Sequence, residues 1–122
     1  MPDQYSGLVP VPQDNPFLEH LFGAMCRNMP ALPGEAFPDQ AERWTDALRF
    51  AAALDPRDQT EWLRAADVTV KQFTAVYTLV LCRRPDTPEK QRQKYGRVFL
   101  RQCQVLRDAR LRYDLLRKAD LP

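Results

Sequence analysis

Residues 87–118 read TPEKQRQKYGRVFLRQCQVLRDARLRYDLLRK, and this stretch decides the fold. Its apolar side chains recur in steps of four and three residues, the spacing of a heptad seam along one face of a helix. This seam consists of Tyr95, Phe99, Leu106, Ala109, Tyr113 and Leu116, with Gln102 completing the series. The spacing predicts one long amphipathic helix over about 88–118, roughly 45 Å long at 1.5 Å per residue.

The opposite face of this helix carries positive charge. On a helical wheel its cations fall into one narrow sector, away from the seam. This basic stripe consists of Lys90, Lys94, Arg97, Arg101 and Arg112. We take the basic stripe as the candidate contact surface for a protein partner or a nucleic acid. The candidate oligomer seam consists of Tyr95, Phe99, Leu106, Tyr113 and Leu116.

The net charge of +2 hides a division along the chain. Residues 1–82 carry six Lys and Arg against eleven Asp and Glu, whereas residues 83–118 carry twelve against four. Such asymmetry indicates an anionic partner for the C-terminal part. The alternative is that the acidic part lies against the basic helix, within one chain or between subunits.

Upstream of residue 87, a capping side chain followed by proline marks the start of further helices. Asn15-Pro16 and Asp55-Pro56 repeat the pattern of Thr87-Pro88, in which proline occupies the first helical position. Apolar periodicity then predicts helices from 16 to 29, from about 38 to 54 and from 56 to about 66.

Residues 68–82 are ambiguous, because β-branched and aromatic residues favour a strand whereas a narrow polar stripe at helical spacing favours a helix. The chain has no second strand-like run to pair with, so we predict a largely buried central helix.

The sequence therefore predicts an all-α fold, a four- to five-helix bundle with a long, basic, amphipathic C-terminal helix. A single helical domain over 14–122 would follow an extended Pro-rich arm over 1–13, which either packs on its own domain or docks on a partner.

Few residues are suited to catalysis. Ser6 is the only serine and His20 the only histidine, and no nucleophile-elbow motif surrounds the serine. Cys26 follows His20 by six residues, which places the two on different faces of a helix. Cys26, Cys82 and Cys103 lack paired spacing and are predicted to be buried structural thiols. We therefore predict no enzyme activity, no metal and no cofactor.

Two further interpretations are weaker. Residues 58–82 fit a helix-turn-helix in outline, but the second helix has few groups that read base edges. The second interpretation places aromatic and methionine side chains in a ligand pocket, although helical spacing is more typical of a core. These are Trp44, Trp62, Tyr77, Met25 and Met29.

The sequence shows neither a signal-peptide pattern nor an apolar run long enough to span a bilayer, so we expect a soluble, cytoplasmic protein. We expect a non-enzymatic helical interaction protein, that is, an accessory, adaptor or regulatory subunit. Its partner would be an acidic protein surface or another copy of itself. The alternative is a nucleic-acid-binding protein that uses the basic stripe, although a net charge of only +2 is low for that class.

Overall fold

A computed structural model describes residues 15–29, 31 and 34–119. These residues form four helices and no strand: α1 Pro16–Arg27, α2 Phe37–Ala53, α3 Gln59–Arg83 and α4 Glu89–Ala119. The predicted all-α class is confirmed. The predicted N-terminal arm, residues 1–13, lies outside the described residues.

The chain divides into two compact units, residues 1–70 and residues 71–122, and α3 runs unbroken through the boundary. The charge divides at nearly the same place. Residues 1–70 carry five Lys and Arg against eleven Asp and Glu, a net of −6, whereas residues 71–122 carry thirteen against five, a net of +8. The single domain and the bundle both stay predictions.

The core of the first unit is built from α1, α2 and the first half of α3. Asn15 caps α1 as predicted, because its side-chain oxygen accepts hydrogen bonds from the backbone N–H groups of Phe17 and Leu18. Phe22 meets Trp62 edge to face, with ring centroids 5.5 Å apart. The buried apolar side chains include Leu18, Phe22, Met25, Cys26, Met29, Ala47, Leu48, Ala51, Ala65, Ala66 and Val68.

The predicted break near Asp67 is wrong, because α3 is one continuous helix of 25 residues. Val68 and Thr69 are buried, and the Thr69 hydroxyl donates to the carbonyl of Ala65 at 2.7 Å, so its polar group is satisfied inside the helix. Burial thus outweighs the β-propensity of this stretch. The continuous helix also excludes the helix-turn-helix interpretation of residues 58–82.

The second half of α3 is less buried than predicted. Residues 68–82 are helical, as the periodicity indicated, and Ala75 and Thr78 are buried. Val76 and Val80 are nevertheless 44% and 38% exposed. Apolar composition alone therefore overstated how far this half of the helix is surrounded by other side chains.

The start of α3 also differs from the sequence prediction. Asp55 does not begin the helix; it has a left-handed φ of 56° immediately after the C-cap of α2, where Asp is better tolerated than most residues. The N-terminal cap is Asp58, whose carboxylate accepts from the backbone N–H of Glu61 at 2.8 Å. The helix therefore begins three residues later than the Asp55-Pro56 pattern suggested.

Glu61 is a carboxylate in the first turn of α3, yet it is only 1% exposed. Its carboxylate accepts from the backbone N–H of Arg57 at 3.0 Å and from the Nε and Nη2 atoms of the Arg57 side chain. The buried charge is thus paired with a guanidinium and also holds the backbone that leads into α3.

We predict that Glu61→Ala lowers the free energy of unfolding by about 2 kcal/mol, because it leaves a backbone donor and a guanidinium without their acceptor. Glu61→Gln should lose less, since the amide oxygen still accepts from Arg57. Urea unfolding followed by circular dichroism measures both changes. Glu42→Ala, at an exposed position on α2, is the control and should change stability by less than about 0.5 kcal/mol; equal losses at Glu42 and Glu61 would contradict the prediction.

Candidate interaction surface on helix α4

The start of α4 is fixed by side chains that bind the preceding turn. The Thr87-Pro88 pattern predicted that Thr87 caps α4, and this prediction is wrong. The Thr87 hydroxyl donates to the carbonyl of Leu81 at 2.8 Å and so satisfies an acceptor in the last turn of α3. The first backbone bond of α4 runs from the N–H of Arg92 to the carbonyl of Pro88, at 2.9 Å.

The Arg92 side chain also stabilises the turn between α3 and α4. One guanidinium nitrogen donates to the carbonyl of Arg84 at 3.2 Å and to that of Thr87 at 3.3 Å. The thiol of Cys82 donates to the Arg92 carbonyl at 3.4 Å. These contacts link the end of α3 to the first turn of α4 and thereby set the direction in which α4 leaves the turn.

Two other arginines on the apolar side of α4 also bind nearby groups. Arg110 lies 3.8 Å from Asp114, one helical turn away. The guanidinium of Arg117 lies over the ring of Tyr113, 5.7 Å from its centroid. An arginine without a partner would be unfavourable on an apolar face. Arg92, Arg110 and Arg117 each have one.

The seam residues differ in burial. Tyr113 is 2% exposed in the single chain, so this part of the candidate oligomer seam is already covered. The half-buried members are Tyr95, Phe99, Leu106 and Leu116. Gln102 is also half-buried, and its amide oxygen lacks a hydrogen-bond partner in the part of the chain that the structure describes. Burial of such an acceptor costs free energy.

The basic stripe is exposed along its whole length. All five members, Lys90, Lys94, Arg97, Arg101 and Arg112, are solvent-exposed. Within the described residues none of the five makes a side-chain hydrogen bond or ion pair. Their charges are therefore available to an external anionic group.

A third face of α4 combines exposed leucines with charged residues. Leu100, Leu111 and Leu115 are 70%, 52% and 65% exposed. An open concavity beside this face is lined by Cys103, Gln104, Arg107, Asp108 and Leu111. The apolar pattern of the sequence does not reveal this face, because Gln104 and Arg107 interrupt it. The signal was the spacing of Leu100, Gln104, Arg107 and Leu111, which repeats the steps of the seam.

The structure brings no metal-binding set together within residues 15–29, 31 and 34–119. No group of three or more His, Cys, Asp or Glu side chains is placed to hold a metal ion there. Cys26 is buried whereas His20 is exposed, so the two lie on different faces of α1 as predicted. Cys82 and Cys103 are only half-buried, so the prediction of a buried thiol holds for Cys26 alone.

The aromatic and methionine residues considered as a pocket do not share one environment. Met25 and Met29 are buried in the core and Trp62 packs on Phe22, whereas Trp44 and Tyr77 are half-buried. Among the described helices, none has the length and apolar character needed to cross a membrane.

Comparison with known proteins found no matching family model, no matching curated protein and no matching solved structure.

We predict that Arg92→Met lowers the free energy of unfolding by about 1–3 kcal/mol, because two carbonyls of the α3–α4 turn lose a charged donor. Thermal and urea unfolding measure the change. Arg97→Met, on the same helix but at an exposed position, is the matched control and should stay within about 0.5 kcal/mol. The same loss at both positions would show that the carbonyl contacts do not stabilise the fold.

We predict that Gln102→Leu raises the free energy of unfolding by about 1 kcal/mol, because it replaces an amide whose buried oxygen lacks a hydrogen-bond partner by an apolar group within the seam. The control is Gln93→Leu at an exposed position of the same helix, which should show no such gain. A destabilised Gln102→Leu protein would mean that the amide has a role in packing which leucine does not replace.

Proposed function

We propose that this chain is a non-enzymatic helical interaction protein, an accessory, adaptor or regulatory subunit. In this proposal it binds an acidic protein surface through the basic stripe of α4. The observation that carries the proposal is the exposure of all five stripe residues without an ionic partner in the described part of the chain. The predicted bundle and cytoplasmic location belong to this proposal.

The distribution of charge supports an electrostatic mode of binding. The unit that contains α4 has a net charge of +8, although the whole chain carries only +2. A positive field of this kind steers an acidic partner towards α4 and speeds association more than it tightens the final complex. Three other arginines of α4, Arg92, Arg110 and Arg117, bind backbone carbonyls, Asp114 and the Tyr113 ring, whereas the stripe residues make no such contacts in the described part of the chain.

A nucleic acid is the alternative partner for the same stripe. Lys90, Lys94, Arg97 and Arg101 follow one another at helical spacing over about 16 Å, a length over which several phosphates of one strand can be reached. Such binding would be largely independent of sequence and strongly dependent on salt, because phosphate contacts release condensed counterions.

We predict that Lys94→Glu weakens binding to a labelled poly-glutamate peptide several-fold, and that Lys90→Glu/Lys94→Glu weakens it further. Both changes add negative charge near the N-terminus of α4, where the helix dipole tolerates it, so the fold should persist. Fluorescence anisotropy at low and at physiological salt measures the affinities. The charge-matched control is Arg49→Glu, at an exposed position of α2.

The same titration with short labelled DNA and RNA separates the two partners. Tighter binding of nucleic acid than of peptide, with a salt dependence that falls in the Lys90→Glu/Lys94→Glu protein, favours the alternative. If neither probe binds at low salt, or if Arg49→Glu weakens binding as much as Lys94→Glu, the basic stripe is not the contact surface.

A further inference from the structure

The third face of α4 forms a line of exposed residues with alternating steps of three and four. This outer line consists of Arg97, Leu100, Gln104, Arg107, Leu111 and Asp114. Every member is solvent-exposed, including Leu100 at 70% and Leu111 at 52%. The steps are those of residues that face a partner helix in a coiled coil, and α3, the other helix of the same unit, leaves this line exposed within the described residues.

We propose that the outer line is a self-association surface, on which α4 of a second copy of the chain packs in the antiparallel direction. The interface is two-fold symmetric, so each contact occurs twice. The inference goes beyond the proposed function, because the outer line shares only Arg97 with the basic stripe and requires no acidic partner.

One register makes the outer line complementary to itself. With Leu100 opposite Leu111 of the second copy, each leucine covers the other. Gln104 then lies opposite Arg107 of the second copy, where an amide oxygen faces a guanidinium. At the ends of the overlap, Arg97 lies opposite Asp114 of the second copy. Each layer therefore joins either two apolar side chains or a donor and an acceptor.

The residues beside the line agree with the same register. In an antiparallel coiled coil, the residue at heptad position e, which directly follows core position d, faces a position e of the other helix. Leu100 and Arg107 occupy position d of the outer line. Arg101 and Asp108 therefore occupy position e, and this register places each opposite the other in the second copy. Both are exposed, and neither has an ionic partner in the described part of the chain.

Other arrangements bring like charges together. A shift of one heptad in one direction places Asp108 opposite Asp108, and a shift in the other direction places Arg101 opposite Arg101. A parallel pair places Arg97, Arg107 and Asp114 each opposite its own equivalent. Charge therefore selects one direction and one register, which is the evidence that the occupant is a second copy of this chain.

The proposed pair has a consequence for the basic stripe. The overlap from Arg97 to Asp114 covers about 26 Å of helix. Arg97 and Arg101 enter the contact, whereas Lys90, Lys94 and Arg112 of both copies remain on one side of the helix pair. Dimerisation would thus unite the cations of two chains into one surface and raise its avidity for an anionic partner.

Charge exchange between Arg101 and Asp108 tests the proposal. Sedimentation velocity of the full chain over a range of concentrations should show a monomer–dimer equilibrium. Arg101→Glu and Asp108→Arg should each weaken dimerisation about tenfold, because each places like charges opposite one another twice. Arg101→Glu/Asp108→Arg should restore the affinity to within about threefold of the original. Circular dichroism establishes that each variant is folded.

The controls use an exposed acidic residue and an exposed basic residue on α2. Asp46→Arg, Arg49→Glu and their combination make the same charge changes and should leave the dimer unaffected. A protein that stays monomeric at the highest concentration overturns the proposal. So does a dimer that neither single exchange weakens, since association would then use another surface such as the seam. Failure of the double exchange to restore affinity overturns the register.

Discussion

The direction of α4 depends on two hydrogen bonds, which the Arg92 guanidinium donates to the carbonyls of Arg84 and Thr87. Because α4 has 31 residues, its far end lies about 45 Å from its first turn. A small change of direction at that turn therefore displaces the far end by a large distance. Thr87 satisfies the carbonyl of Leu81 from the same turn. The turn is thus closed by side chains, and this fixes which face of α4 meets the rest of its own unit and which faces meet solvent.

The arginines of α4 fall into three groups once the turn is fixed. Arg92, Arg110 and Arg117 bind a carbonyl pair, a carboxylate and an aromatic ring inside their own unit. The basic stripe has no such partners among the described residues. Arg107 belongs to the outer line, between two exposed leucines. The net charge of +2 therefore says little about function, because the partners of each cation decide whether its charge is available.

Helical periodicity was sufficient to predict the all-α class and the helix over residues 68–82, and the Asn15-Pro16 pattern predicted the cap at Asn15. Periodicity and capping patterns have a common limit. Both failed where a local signal competed with long-range burial. Asp67 resembled a break, yet Val68 and Thr69 are buried beside it and the helix continues. Asp55-Pro56 resembled a helix start, but burial of Glu61 against Arg57 makes Asp58 the cap. Which carboxylate is buried depends on packing between helices, and periodicity within one helix does not contain that information.

The outer line is a second heptad-like pattern on α4 that apolar residues alone do not reveal. A seam that packs inside one chain is recognised by its hydrophobicity, and Tyr113 on α4 follows this rule. A surface that joins two folded molecules must stay soluble when it is unpaired, so it combines few apolar residues with many charges. Leu100 and Leu111 separated by Gln104 and Arg107 have this composition. Self-complementary placement of charge is then the more informative signal, because it specifies both the partner and the register.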